Sequence, residues 1–316
     1  MNSIGGYFEL ELFKGKEYHT EALRLNTARN AFEYCLIARN YKKIFLPFYS
    51  CDVLLQPLER LKIPFEFYRI NENFEVLFDL EQLEPDSGFV YTNYFGLKNN
   101  YIRQISKNCK NLIVDNAQAF FSPPIKSVDT FYSARKFFGV PDGAYLYTDK
   151  FTGMELKKEI SYNRAEHLLV RLDTTAEKGY PYYTKNEASL DNLPIRKMSG
   201  LSQRILQAIN YEQVKMKRRE NYQYIHEALQ QVNEISFPLG EDEVPLAYPF
   251  LSKSEALRKK LIENKIYCAQ YWSNVLEWTT ADSLEYRFAE QLIPLPIDQR
   301  SGQSEMDQIV KIIIND

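Results

Sequence analysis

The chain has 316 residues, enough for one large folding unit or for a large and a small one. Apolar residues make up 45% and charged residues 26%, as in a folded protein, and a formal net charge of -3 gives no electrostatic basis for a nucleic-acid partner. Cys35, Cys51, Cys109 and Cys268 are scattered without CxxC or Cys/His spacing, which argues against a zinc site or a disulfide framework and suits a reducing, cytoplasmic compartment.

Met1 to Leu12 has no basic start and no long apolar run, and no stretch approaches the ~18 apolar residues of a membrane span. Gly5 to Leu12 reads as a turn and then a short strand or extended arm. From Thr20 the pattern turns helical, with Ala31, Tyr34, Cys35 and Ala38 on one face and Asn26 or Thr27 at the N-cap. Short apolar runs follow at 44–47, 65–70, 89–92, 112–115, 130–132 and 144–147, with helix-capable stretches at 52–61 and 101–107. This alternation predicts an α/β fold: a mostly parallel sheet flanked by helices, whose active residues gather at the carboxyl ends of the strands.

From Phe151 to Arg196 the pattern is poor, and Gly179-Tyr180-Pro181 reads as a loop. Ser199 to His226 reads as one long helix whose Lys215, Lys217, Arg218 and Arg219 form a solvated face. Strands are expected at 247–251 and 266–269, and helices at 253–263 and 305–314. The expected division is a large unit over 1–210, N-terminal arm included, and a smaller C-terminal α+β unit over 211–316.

With 12 glycines the chain contains no GxGxxG and no GxxxxGK, which excludes a Rossmann dinucleotide site and a P-loop. His19, His167 and His226 form no HExxH. Lys136 lies between the run Thr130-Phe131-Tyr132-Ser133 and the turn Gly139-Val140-Pro141-Asp142-Gly143, a place for a lysine that anchors an aldehyde cofactor; a solvated surface charge is the competing reading. Asp115 ends an apolar run and needs a partner, either a turn amide, a metal or a protonated ring nitrogen; no carboxylate cluster supports the metal. The helix start at Asn26-Thr27-Ala28 is either a plain cap or a phosphate cradle, with Ser133 as a second contact.

Together these segments resemble the DegT/DnrJ/EryC1 sugar aminotransferases, of the aspartate-aminotransferase fold of pyridoxal 5'-phosphate (PLP) enzymes. The resemblance is carried by Ile44 to Cys51, Tyr91 to Gly96 and Val114-Asp115-Asn116-Ala117-Gln118-Ala119, then by Phe131 to Ala144, Leu292 to Ile297 and Met306 to Ile313. It implies PLP as cofactor, with Lys136 as its covalent anchor and later the proton carrier. It implies Asp115 on the ring nitrogen and Gln118 near the ring hydroxyl. Thr27, Ala28 and Ser133 would hold the phosphate, and Tyr49 or Cys51 would lie at the ring face. Desolvation and Arg135, if it points inward, would favour the neutral amine of Lys136. The implied activity is transamination of a nucleotide-linked keto-sugar, as in polysaccharide biosynthesis, with L-glutamate as donor and a homodimer as the assembly.

The chain departs from the family's pattern in two places. Ser133 and Lys136 are separated by only two residues, and the family's GYNYRMS segment, which supplies an Asn to the partner's phosphate site, corresponds to Leu193-Pro194-Ile195-Arg196-Lys197-Met198-Ser199, where Arg196 or Lys197 would substitute. The alternatives are another reaction on the same cofactor, such as sugar dehydration, or a non-catalytic homologue that binds a sugar nucleotide or a partner protein. Tyr271, Trp272 and Trp278 either stack on a base or pack, and packing is the expectation.

Overall fold

In the computed structural model, which describes residues 4–316, the apolar runs assemble into one eight-stranded sheet. Residues 1–3, the start of the expected arm and of the expected large unit, lie outside the described residues. In chain order the strands are β1 (Leu23–Leu25), β2 (Lys43–Pro47), β3 (Phe65–Ile70), β4 (Val76–Leu77), β5 (Ser87–Thr92), β6 (Leu112–Asn116), β7 (Asp129–Ser133) and β8 (Ala144–Tyr147). Their spatial order is β1-β8-β7-β6-β5-β2-β3-β4. The five central strands, from β3 to β7 in space, run parallel; β8, β1 and β4 are antiparallel to their neighbours. Every residue of β5, β6 and β7 is buried, as expected for strands covered on both faces.

Helices α1 (Ala28–Arg39), α2 (Leu55–Leu61) and α3 (Asn99–Ile105) connect these strands. The helical pattern expected from Thr20 begins only at Ala28, because Leu23–Leu25 is taken up as an edge strand beside Ala144–Leu146. A three-residue strand is set by its partner rather than by its own periodicity. Among the described residues the arm forms no strand: it bends at 5–7 and has no regular structure over 8–17, and Tyr7, Phe8 and Phe13 are exposed.

The unreadable stretch after β8 holds a helical hairpin, α4 (Glu166–Asp173) and α5 (Ala176–Ser189), so the loop expected at Gly179-Tyr180-Pro181 is helix. Gly179 serves close packing: a Cβ there would stand 3.2 Å from the Arg171 Cβ and from the His167 carbonyl oxygen on α4. The single helix expected over 199–226 is two, α6 (Gly200–Gln207) and α7 (Tyr211–Leu229). Ser199 caps the first on Ser202 N, and Asn210 caps the second on Gln213 N.

Arg218 on α7 corrects the solvated basic face. It is buried, with its guanidinium 4.5 Å from the Phe137 ring centroid, and it donates to the Pro245 and Leu246 carbonyls and to Gln299.

Beyond α7, β9 (Ala247–Leu251) pairs antiparallel with β10 (Leu292–Pro296), surrounded by α8 (Glu255–Glu263), α9 (Val275–Trp278), α10 (Leu284–Gln291) and α11 (Gln303–Ile314). The strand expected at 266–269 is irregular, because β10 takes the place beside β9. One apolar core runs from Tyr49, Phe74 and Phe89 to Leu257, Phe288 and Ile309, and so joins the two sheets. Among the described residues no helix is long and apolar enough to cross a membrane.

Candidate active site

Because β5, β6 and β7 are parallel, Thr92, Asp115 and Ser133 end at the same edge of the sheet. The start of α1 points at that edge. Thr27, Ala28, Cys51, Asp115, Gln118, Ser133 and Lys136 all line one cavity of about 130 Å³. Lys136 also lines a neighbouring cleft of about 690 Å³.

Tyr49 does not reach the cavity. Its ring lies in the core, 5.6 Å from Tyr94 and from Phe288, so of the open pair Tyr49 and Cys51 only the thiol faces the site. The Thr27 hydroxyl is used by the helix cap, accepting from Asn30 N at 3.1 Å and donating to Asn30 Oδ1 at 2.6 Å. What α1 offers the cavity is therefore its first amides, Ala28 N–H and Arg29 N–H, which have no acceptor in the helix. The Ser133 hydroxyl likewise has no partner among the described residues. Gln118 is held by its Oε1, which accepts from Phe95 N at 2.8 Å.

Asp115 is buried at the end of β6. One of its oxygens accepts from Ala117 N at 2.8 Å. Burial pushes its carboxyl up to about 6, against the opposing effects of that amide and of Lys136. Burial also raises the Cys51 thiol to about 11.

Lys136 keeps an open surface, but it opens into the cavities, and the amine itself sits well inside the protein. Its pKa is raised, first by Tyr271 and against the effect of burial, with Cys51 and Tyr183 adding to the rise and Arg135 opposing it. Burial and Arg135 thus both push toward the neutral amine, as expected, but Tyr271 outweighs them and the net shift is upward. Arg135 turns to Glu187 of α5.

Several site residues come from segments the sequence left unread. Glu187 and Leu190 close one side of the cavity, and Trp272 another. Asp191, just after α5, pairs with Arg29 at 2.6 Å. Arg196 pairs with Glu159 at 3.1 Å. Trp278 packs on Phe67, 4.8 Å between ring centroids. The large cleft carries His167, Arg171, Arg218, Tyr271 and Arg300 beside Lys136. It shares His167, Arg171, Tyr183 and Tyr267 with a further cavity of about 650 Å³, which adds Tyr180 and Ile262. None of these contacts has a local sequence signal, since each joins residues far apart in the chain.

No protein-family model matches the chain, and no curated protein sequence does. Solved structures do. A DegT DnrJ EryC1 StrS aminotransferase from Brucella abortus is 16% identical with a TM-score of 0.65, covering 93% of this chain and 85% of that one. The sugar aminotransferase CalS13 from Micromonospora echinospora is 12% identical with a TM-score of 0.64, over 93% and 87%. The E. coli GDP-4-keto-6-deoxy-D-mannose-3-dehydratase with bound hydrated PLP is 14% identical with a TM-score of 0.62, over 92% and 87%. At such identities the likeness speaks for architecture, and the chain thus shares the fold of the DegT/DnrJ/EryC1 sugar aminotransferases over more than nine-tenths of its length.

Proposed function

We propose that this chain is a PLP-dependent aminotransferase that acts on a nucleotide-linked keto-sugar with L-glutamate as amino donor. The observation that carries the reading is the meeting of Asp115, Ser133, Lys136 and the first amides of α1 on one cavity. The donor set suits the cofactor: unfilled amides and a free hydroxyl for a phosphate, a buried carboxylate for a ring nitrogen, and a lysine for an aldehyde. In the proposed division the cofactor belongs to a unit over 1–210 and the second unit covers 211–316. The working form is a cytoplasmic homodimer.

When bound, PLP supplies an aldehyde that exchanges amino groups and a ring that withdraws electrons. Asp115 would hold the proton of the ring nitrogen, and a cation placed there would draw its carboxyl down from about 6 to full ionisation. Ala28 N–H, Arg29 N–H and the Ser133 hydroxyl would bind the phosphate. Lys136 would anchor the aldehyde carbon and, once released, move a proton between cofactor and substrate carbons. Arg171 and Arg300 in the cleft suit an anionic linker, and the Tyr180, Tyr183 and Tyr267 rings beyond suit a flat base.

The test is spectroscopic and then chemical. Adding PLP to the wild-type chain should produce an absorbance band at the edge of the visible that Lys136→Ala lacks. L-glutamate should then bleach the band and release 2-oxoglutarate. Identical spectra for the two proteins would sink the proposal. A dehydratase among the structural neighbours motivates a second reading. It predicts water loss from the sugar, so that no new amino group remains on the product.

A further inference from the structure

Lys136 stands where the small cavity meets the large cleft and forms part of both walls. Its four-carbon side chain is flexible. Among the described residues its amine makes no ion pair and no hydrogen bond. What it meets is the face of the Tyr271 ring, whose centroid is 5.4 Å from Nζ.

Tyr271 belongs to the irregular segment between α8 and α9, far along the chain from β7. It is half-buried. Its ring packs on Phe95 at 6.1 Å, and Phe95 is fixed by Gln118 through its amide and by Leu246 N through its carbonyl. The next residue, Trp272, reaches the small cavity and meets Tyr49 edge-on at 5.0 Å. The Tyr271 hydroxyl has no hydrogen-bond partner among the described residues, and it is the ring face that lies over the Lys136 amine.

We propose that Tyr271 is the positioning residue of Lys136: its ring face holds the ammonium at the junction of cavity and cleft, in reach of a carbonyl on either side. The use made of that position rests on the aminotransferase reading; the hold itself does not. The other groups that face the amine are Cys51 after β2, Asp115 at the end of β6, Arg135 beside it and Tyr183 of α5. A cation over a ring face favours the charged form by a factor of roughly 2 where the pair is exposed to roughly 30 where it is desolvated.

The experiment measures the amine directly, without cofactor. The apo chain is methylated with formaldehyde and borohydride over a range of pH, and labelling is resolved by mass spectrometry at Lys136 and at the exposed Lys110 as internal reference. Only the neutral amine reacts. Tyr271→Leu and Tyr271→Met remove the ring face at similar bulk, and either should move the Lys136 midpoint to lower pH by roughly 0.3 to 1.5 units, the same factor on a logarithmic scale. Tyr271→Phe keeps the ring and should keep the wild-type midpoint. A wild-type midpoint in Leu and Met, or a Phe midpoint shifted as far as theirs, overturns the proposal. Failure of the aminotransferase reading would appear separately, as no 2-oxoglutarate from the PLP-loaded wild type, and would leave the methylation result standing.

Discussion

Asp115→Asn should stabilise the apo chain above neutral pH while weakening its hold on PLP. The Asp115 carboxyl titrates near 6 in the folded chain and near 3.8 unfolded, because burial disfavours its charge. The folded state therefore binds this proton more tightly than the unfolded state. The stability linked to that proton is complete below the unfolded value and is lost as pH rises through the folded one. The gap of roughly two units corresponds to about 3 kcal/mol at neutral pH. Asparagine carries no charge and keeps an oxygen to accept from Ala117 N, the bond that Asp115 makes at 2.8 Å. Urea unfolding of both apo proteins from about pH 4 to about pH 8 should give curves that meet at the acid end and diverge upward for the variant. With PLP added the order should reverse, because the variant cannot hold a ring proton. A stability difference that does not change with pH, or an apo variant weaker than wild type at the alkaline end, would refute the reasoning.

Two further outcomes follow from the hydrogen bonding and charge around the site. Asp142 is fully buried just before β8, where it accepts from Ser199 N at 2.9 Å, from the Ser199 hydroxyl at 2.6 Å and from the Ser202 hydroxyl, and so ties the lysine turn to the start of α6. Asp142→Ala leaves these donors unpaired and should cost about 3 kcal/mol in chemical denaturation. Glu187 places a carboxylate on Arg135 at the wall of the cavity proposed for the phosphate. Glu187→Gln should tighten PLP binding by roughly two- to fivefold, as a like charge is removed from a half-exposed position beside the cavity. Titration of the apo protein reads that ratio, and equal affinities would contradict the placement of the phosphate.

Much of the sheet is legible in short apolar or alternating runs: the buried parallel strand from Leu112, the half-exposed alternating strand from Phe65 and the antiparallel strand from Ala144 appear almost to the residue. Thr27, Asp115, Ser133 and Lys136 were legible because each follows from a local rule about a cap, a strand end or a turn. The α4–α5 hairpin was not, because Gly179 and Pro181 signal a loop wherever packing is unknown. Gly179 is there so that α5 can lie close on α4. Arg218 misled in another way: on a charged helix it reads as solvated, whereas a few carbonyls and the Phe137 ring satisfy it inside. Tyr271 and Trp272 pack, as expected, but they do so on the walls of the cleft and of the small cavity. Cys51 and Tyr49 could not be separated, since two residues on an irregular segment after β2 give no face assignment.

The apolar core that joins the two sheets also has a temporal meaning. Synthesis delivers β1 to β8 first, with Lys136 already in its turn. The residues that cover Tyr49, Phe74 and Phe89, among them Leu257, Phe288 and Ile309, emerge more than a hundred positions later. Until they arrive, that face of the sheet has only water or a chaperone to meet, and Lys136 lacks both the Tyr271 ring and the Trp272 wall. A chain stalled before its last hundred residues would thus carry an uncovered aromatic surface and an unguarded amine. Completion of the C-terminal segment is what gives Lys136 its Tyr271 and Trp272 neighbours.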